Sequence, residues 1–175
     1  MLEDEQLAKK QYRAMEDFIE LHRKSSGLVG QVFNDLKNKI VAEAFKQFLN
    51  IDPNIIAEYL AKFLDFHLKK TSQDEEQLAR LVEEVLTLFK FCKAKDVFEE
   101  FYMRGLSRRL LLKKSASTES ERQMLTKLRS ECSNDFNSKC ENMIKDLFDS
   151  DQFMVEYKKV HPQNQEEIEH HIHVL

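Results

Sequence analysis

The sequence predicts an all-α fold, and three observations support that class. The 175 residues include only three glycines and two prolines, too few for the many tight turns of a β-sandwich or barrel. Leucine is as frequent as valine, isoleucine and threonine together, which favours helix over strand. Apolar residues recur at helical spacing along almost the whole chain, and the breaks between them indicate about eight helices.

The first half of the chain predicts a series of amphipathic helices separated by turn residues. We expect the Ser-Ser-Gly run at 25–27 to end the first helix and a bend near Asn38 in the next. Asp52 and Pro53 predict a helix start, because Asp caps free N–H groups and Pro at the first helical position has none to lose. The apolar stripes consist of Leu7, Ala14, Met15, Phe18, Ile19 and His22; Val29, Val32, Phe33, Leu36, Ile40, Val41, Ala44, Phe45, Phe48 and Leu49; and Ile56, Tyr59, Leu60, Phe63 and His67.

The second half carries the clearest helical periodicity. Asp74 with Gln77, and Thr118 with Glu121, have the spacing of a capping box, in which two side chains satisfy free N–H groups at a helix start. Between and behind them lie Leu78, Leu81, Val82, Val85, Leu86 and Phe89; Phe98, Phe101, Tyr102 and Leu106; Met124, Leu125, Leu128 and Cys132; and Phe136, Cys140, Met143, Ile144, Leu147 and Phe148. The residues that we expect in the core are Phe98, Tyr102, Leu125, Leu128, Phe136 and Met143.

The end of the chain differs from the rest. From Ile168 to Leu175 apolar and polar residues alternate, the period-2 pattern of a half-buried strand, which predicts a short terminal β-strand. The polar stretch at 69–76 is the expected boundary between two helical units. We therefore divide the chain into residues 1–73, 74–160 and 161–175.

Composition excludes several classes of protein. No apolar run approaches the ~20 residues that span a bilayer, and the acidic, amphipathic first ten residues lack the features of a secretory signal. The net charge of −4 predicts a soluble protein and gives no reason to expect nucleic acid as a partner. Three cysteines at unmatched spacings suit free thiols in a reducing, intracellular compartment.

No constellation of residues predicts catalysis, a cofactor or a metal. With three glycines the chain has no phosphate-cradling loop, and neither His22 nor His67 has a nucleophile nearby in sequence. Cys92, Cys132 and Cys140 are expected to be buried small hydrophobes. The zinc-like run His170, His171 and His173 does not place all three side chains on one face of a strand, so a solvated tail is the better interpretation.

One charged stretch stands out from the rest of the chain. Residues 101–118 contain no acidic residue, and two of their cations, Arg104 and Arg108, share a helix face. One interpretation is pairing with carboxylates one or two turns earlier; the other is a docking site that attracts an acidic partner. The candidate carboxylates are Asp96, Glu99 and Glu100, and the candidate docking residues are Arg104, Arg108, Arg109, Lys113 and Lys114.

The same stretch carries a family resemblance. Residues 95–117 read KDVFEEFYMRGLSRRLLLKKSAS, and the likeness continues through the pattern of 121–146. Both closely resemble the stretch by which cullins are recognised, nearest to the fourth cullin type. The chain departs from that pattern at Ser133, where Gly is usual, at Asn137, where Thr is usual, and at Cys140, where Leu is usual.

The resemblance implies a non-enzymatic scaffold. Residues 1–73 would be the end of a cullin repeat, 74–160 a four-helix bundle in an elongated molecule, and 161–175 a linker and the first strand of an α/β domain. The family role is to space substrate receptor and ubiquitin-conjugating enzyme in a RING E3 ubiquitin ligase, in the cytoplasm and nucleus. Expected partners are a RING-box subunit, a substrate-receptor adaptor and a conjugating enzyme, with main binding regions outside this chain.

The family's basic channel, which receives the acidic tail of the conjugating enzyme, would fall on Arg104, Arg108 and Arg109, with Lys113 and Lys114 nearby. An alternative function from another class is an independent helical module that binds acidic peptides or nucleic acid through the same stretch.

Overall fold

A computed structural model describes residues 2–32, 36–69, 75–115 and 117–160. These residues form seven helices and no strand, which confirms the all-α class. The predicted strand at 168–175 lies outside the described part of the chain, and so do the three histidines interpreted as a solvated tail. The helices are α1 (Leu2–Val32), α2 (Leu36–Leu49), α3 (Pro53–Leu68), α4 (Glu75–Phe91), α5 (Lys95–Leu111), α6 (Thr118–Leu128) and α7 (Asn134–Val160).

One predicted break in the first half is wrong, and a second is not tested. α1 continues through 25–27 to Val32, because one Gly and two Ser in a long helix lower its stability only modestly, and the backbone at Gly27 has no positive φ. Asn38 lies within α2, which begins at Leu36; the bend expected near it stays a prediction, because residues 33–35, between α1 and α2, lie outside the described part of the chain.

The start of α3 confirms the prediction from Asp52 and Pro53. Pro53 occupies the first helical turn, and the Asp52 carboxylate accepts a hydrogen bond from the Ile55 amide at 3.4 Å. The start of α6 corrects another prediction. Ser117, one residue before Thr118, is the N-cap, and its hydroxyl accepts a hydrogen bond from the Ser120 amide at 3.0 Å. The Asp74 capping box involves a residue outside the described part.

The core confirms most of the predicted apolar positions. Phe98, Tyr102, Leu125, Leu128 and Phe136 are buried, and Met143 is partly buried against the same cluster. Some large apolar side chains of the predicted stripes are instead exposed to solvent. These are Leu7, Ile40, Phe48 and Phe148.

The helices on either side of the predicted boundary at 69–76 pack against each other. α3 lies along α5, and the side chain of Asn50 joins the turn before α3 to the turn after α4. Its amide nitrogen donates to the Phe91 carbonyl at 2.8 Å, and its oxygen accepts from the Lys93 amide at 3.0 Å. The division into domains stays a prediction, but these contacts tie residues of the first unit to residues of the second.

Candidate acidic-partner surface and the buried charge cluster

Four of the five predicted docking residues are exposed. Arg104 and Arg108 lie one helical turn apart on α5, and Lys113 and Lys114 follow the end of that helix. We call these four residues the basic surface. Cations separated by one turn repel each other unless a carboxylate or a partner offsets the repulsion, so their neighbours decide how available they are.

The pairing that the sequence suggested accounts for one of these cations. The Arg104 guanidinium donates to the Glu100 carboxylate at 2.7 Å, and both side chains are more than half exposed. An exposed pair of this kind is weak and screened by salt, so it leaves Arg104 able to exchange partners. Glu99 binds elsewhere, because its carboxylate accepts from the backbone amide and the hydroxyl of Ser133 at 2.6 and 2.8 Å.

The end of α5 sets where the two lysines lie. Lys113 has φ of 51°, the left-handed conformation that commonly ends a helix and usually belongs to Gly. The Lys114 amide donates to the Arg109 carbonyl at 2.8 Å, and the Lys113 amide donates to the Leu110 carbonyl at 3.1 Å. This pair of bonds is the Schellman motif, which turns the chain away from the helix axis and leaves both lysines exposed.

Arg109, the fifth predicted docking residue, does not lie on the surface. Its side chain is completely buried between α3, α5 and α6. Its Nε and Nη2 donate to the two oxygens of Glu121 at 2.7 and 2.8 Å, and its Nη1 donates to Asp65 at 2.5 Å. The charge of Arg109 is therefore already paired inside the protein, so the proposed docking role is kept for the four exposed residues.

Asp65, Arg109 and Glu121 form what we call the buried charge cluster. Asp65 also pairs with Lys69, so two cations and two carboxylates balance. Burial lowers the pKa of the Arg109 guanidinium, but the hydrogen bonds and charge of Glu121, with Asp65, more than offset this and hold the pKa above its usual value. The guanidinium lies 5.5 Å from the ring centre of Tyr102, whose own pKa burial raises well above the ordinary range.

Glu121 accounts for the absence of the capping box expected at Thr118 and for the burial of Arg109. In a capping box its carboxylate would reach back to the start of α6, but it is fully buried and bound to Arg109 instead. Sequence reasoning missed Asp65, Glu121 and Ser115 as partners. The burial of Arg109 could have been found, because it follows Phe98, Tyr102 and Leu106 on the same helical stripe.

The cysteines fit the prediction of small buried side chains. Cys92 and Cys140 are buried, and Cys132 is partly buried. Burial is the main reason that the pKa values of Cys132 and Cys140 rise to about 12, so neither is an activated thiol. In the ranges that the structure describes, no group of His, Cys, Asp and Glu could hold a metal ion, and no helix could cross a membrane.

The two histidines considered for catalysis lie in aromatic surroundings. His67 is buried, and its Nε2 shares a hydrogen bond with the Tyr12 hydroxyl at 2.6 Å. His22 packs edge-on against Phe45, and burial lowers its pKa although the charge of Glu84 opposes the shift. Both are packing residues in this structure.

Ser133, one of the departures from the cullin pattern, has a structural use. Its hydroxyl accepts from the Phe136 amide at 3.2 Å, and its carbonyl accepts from the Asn137 amide at 3.1 Å, so it caps α7. The same hydroxyl donates to Glu99 on α5. A Gly could make neither side-chain contact, so this substitution replaces turn flexibility with a link between α5 and α7.

Comparison with known proteins agrees with this architecture. The family model described as the cullin alpha solenoid domain matches residues 2–154. Cullin-4A from Mus musculus is 39% identical over 155 residues, which cover 86% of this chain and 20% of that protein. Cullin-4A from Homo sapiens is 43% identical over 128 residues, which cover 72% of the chain and 17% of that protein.

A more distant species gives the same result. Cullin-4 from Dictyostelium discoideum is 36% identical over 180 aligned positions, which cover the whole chain and 22% of that protein. The chain thus spans about a fifth of the length of these relatives. Because the family model covers most of its residues and these cullin-4 relatives are 36–43% identical to it, the chain belongs to the cullin family.

Proposed function

We propose that this chain is part of a non-catalytic scaffold in a RING E3 ubiquitin ligase. The observation that carries the proposal is family membership together with helices that side chains tie to one another across α3, α5, α6 and α7. In this proposal the helices hold a substrate receptor and a ubiquitin-conjugating enzyme at a set distance, which raises the effective concentration of one near the other.

Rigidity is the physical requirement for such a spacer. Large side chains of α4, α5 and α7 interlock at the centre of the molecule, where Phe89 lies 4.1 Å from Phe98 and Tyr102 lies 5.8 Å from Phe136, between ring centres. Close-packed interiors of this kind resist deformation. The buried charge cluster adds bonds of defined direction between α3, α5 and α6.

The partners of the whole protein would be those of the family: a RING-box subunit, a substrate-receptor adaptor and a conjugating enzyme, acting in the cytoplasm and nucleus. Most of their binding regions would lie outside this chain. Within it, we propose that Arg104, Arg108, Lys113 and Lys114 attract an acidic segment of the conjugating enzyme. Exposed cations accelerate such encounters in a way that added salt screens.

The test compares two pairs of charge reversals in the full-length ligase. Arg104→Glu with Arg108→Glu changes the basic surface, and Arg23→Glu with Lys24→Glu makes the same change of charge on an exposed part of α1. Arg109 stays intact, because its reversal would disturb the core. We expect the first pair to slow ubiquitin-chain synthesis several-fold at low salt and less at high salt, and the second pair to leave the rate unchanged.

Equal rates for both pairs at low salt would contradict the role of the basic surface. Failure of the full-length protein to capture a RING-box subunit would contradict the ligase proposal itself. Steep, salt-dependent binding of single-stranded nucleic acid by the 175-residue chain would favour the alternative function, an independent binding module.

A further inference from the structure

Half of the basic surface lies on a loop and not on a helix. Arg104 and Arg108 are held by α5, whereas Lys113 and Lys114 lie between Leu111, where α5 ends, and Thr118, where α6 begins. A charge on a loop binds a partner well only if its position is already set, because otherwise binding must also order the loop. The contacts that hold this loop in one conformation therefore determine where two charges of the basic surface lie.

Two of these contacts lie at the ends of the loop. The Schellman bonds fix Lys113 and Lys114 to the last turn of α5, and the Ser117 hydroxyl caps the first turn of α6. The third contact lies between them. The Ser115 hydroxyl donates to Oε1 of Glu121 at 2.5 Å, the same oxygen that accepts from Nε of Arg109.

We propose that Ser115 is a positioning residue that holds Lys113 and Lys114 in place by binding the buried charge cluster. Glu121 is fully buried and held by two hydrogen bonds from Arg109, so it is a fixed anchor. A hydrogen bond to an ionised carboxylate is stronger than one between neutral groups. Ser115 itself is only partly buried, which places this bond where the loop meets the core.

The arrangement links the buried Arg109 to the exposed Lys113 and Lys114. Arg109 neutralises and orients Glu121, Glu121 accepts the Ser115 hydroxyl, and Ser115 is the next residue after Lys114. The placement of two exposed charges thus depends on a buried pair. The value of this placement for binding rests on the proposed docking role, whereas the positioning itself can be measured without any partner.

The experiment uses the 175-residue chain with Ser115→Ala, Ser115→Thr and the control Ser107→Ala. Within the described residues, the Ser107 hydroxyl donates to the Arg104 carbonyl at 3.0 Å, inside α5. Ser107→Ala therefore removes a hydroxyl near the basic surface without changing a contact of the loop. Amide hydrogen exchange is followed at Lys113 and Lys114, whose amides donate to carbonyls in the last turn of α5, and at Tyr102 and Leu106 in the core.

For Ser115→Ala we expect exchange at Lys113 and Lys114 to rise about ten-fold, with no change at Tyr102 and Leu106. Ser115→Thr, which keeps the hydroxyl, and Ser107→Ala should exchange as the unchanged chain does. Unchanged exchange in Ser115→Ala would overturn the proposal. An equal rise at the core amides would also overturn it, because it would show general destabilisation instead of positioning.

Binding of hexaglutamate, measured at low salt, then separates this inference from the docking role. We expect Ser115→Ala to weaken hexaglutamate binding about three-fold and Ser115→Thr to restore it. If the unchanged chain does not bind hexaglutamate, the docking role of the basic surface fails, while the exchange result still decides whether Ser115 positions the loop.

Discussion

Arg108 and Arg109 are neighbours in the sequence, yet they belong to two different regions of the molecule. Arg108 is exposed on the basic surface, whereas Arg109 is completely buried and bonded to two carboxylates. The difference comes from geometry, since adjacent residues on a helix point about 100° apart. One faces solvent, and the other faces α3 and α6. The pair shows that a run of cations in a sequence can contain both a recognition surface and a core element.

Replacing each of these arginines by Met should give the largest difference in unfolding free energy between the two regions. Arg109→Met leaves Glu121 as a buried carboxylate without its cation, so we expect a loss of roughly 3–5 kcal/mol of unfolding free energy. Arg108→Met should change it by less than about 0.5 kcal/mol, as is usual for exposed sites. Urea unfolding followed by circular dichroism measures both. Similar losses for the two variants would contradict the assignment of Arg109 to the core.

The same cluster makes Gly105 the next most sensitive position. A β-carbon there would lie 2.8 Å from Asp65 Oδ1 and 3.3 Å from Nη1 of Arg109, closer than van der Waals contact allows. We expect Gly105→Ala to destabilise the chain by about 1–2 kcal/mol, because overpacking outweighs the gain in helix propensity. The measurement is the shift of the urea midpoint.

Gly27→Ala is the matched control for Gly105→Ala. Among the described residues, no atom outside the local backbone lies within 4 Å of the position that a β-carbon would take at Gly27, and the residue is exposed within α1. We expect this variant to gain about 0.5–1 kcal/mol of unfolding free energy from helix propensity.

A second control removes the side chain that the new β-carbon of Gly105→Ala would contact. In an Asp65→Ala background the penalty of Gly105→Ala should shrink, and a penalty that stays unchanged would show that Asp65 is not its cause.

The apolar stripe of α5 and the partners of Arg109 illustrate what could and could not be predicted from the sequence. Periodicity placed Phe98, Tyr102 and Leu106 in the core, because burial of an amphipathic stripe is a local property of one helix. The partners of Arg109 are 12 and 44 residues away, so only the tertiary arrangement brings them to it. Within the basic surface, the exposure of Arg104 and Arg108 followed from their shared helix face.

Helix boundaries show the same limit on a smaller scale. Asp52 and Pro53 marked the start of α3 correctly, because both residue types act on the backbone next to them. At α6 the capping-box pattern pointed to Thr118, but Glu121 binds Arg109 and Ser117 takes the capping role. A local motif therefore failed where one of its members had a stronger partner elsewhere.

Substitutions at Ser133 test the link between α5 and α7. Ser133→Ala removes the cap of α7 and the hydroxyl contact with Glu99, and we expect a loss of about 1 kcal/mol. Ser133→Asp is the matched variant, since its carboxylate can cap α7 but would repel Glu99. We expect Glu99→Gln to restore part of the stability of Ser133→Asp and none of that of Ser133→Ala, measured by a double-mutant cycle.

The smallest expected effect on stability lies at the end of α5, in the basic surface. Lys113 adopts a left-handed conformation that favours Gly, so Lys113→Gly relieves backbone strain. Part of that gain is lost because Gly makes the unfolded chain more flexible, and we expect a net increase in unfolding free energy of about 0.5 kcal/mol.

Lys114→Gly is the control for this change, because within the described residues Lys113 is the one non-glycine position with positive φ. It removes the same charge from the basic surface without relieving strain, so we expect it to be slightly destabilising. Thermal unfolding at high salt, where surface charge is screened, separates the two contributions. If both variants were equally destabilising, the Lys113 side chain would be contributing a contact worth more than the strain of its backbone.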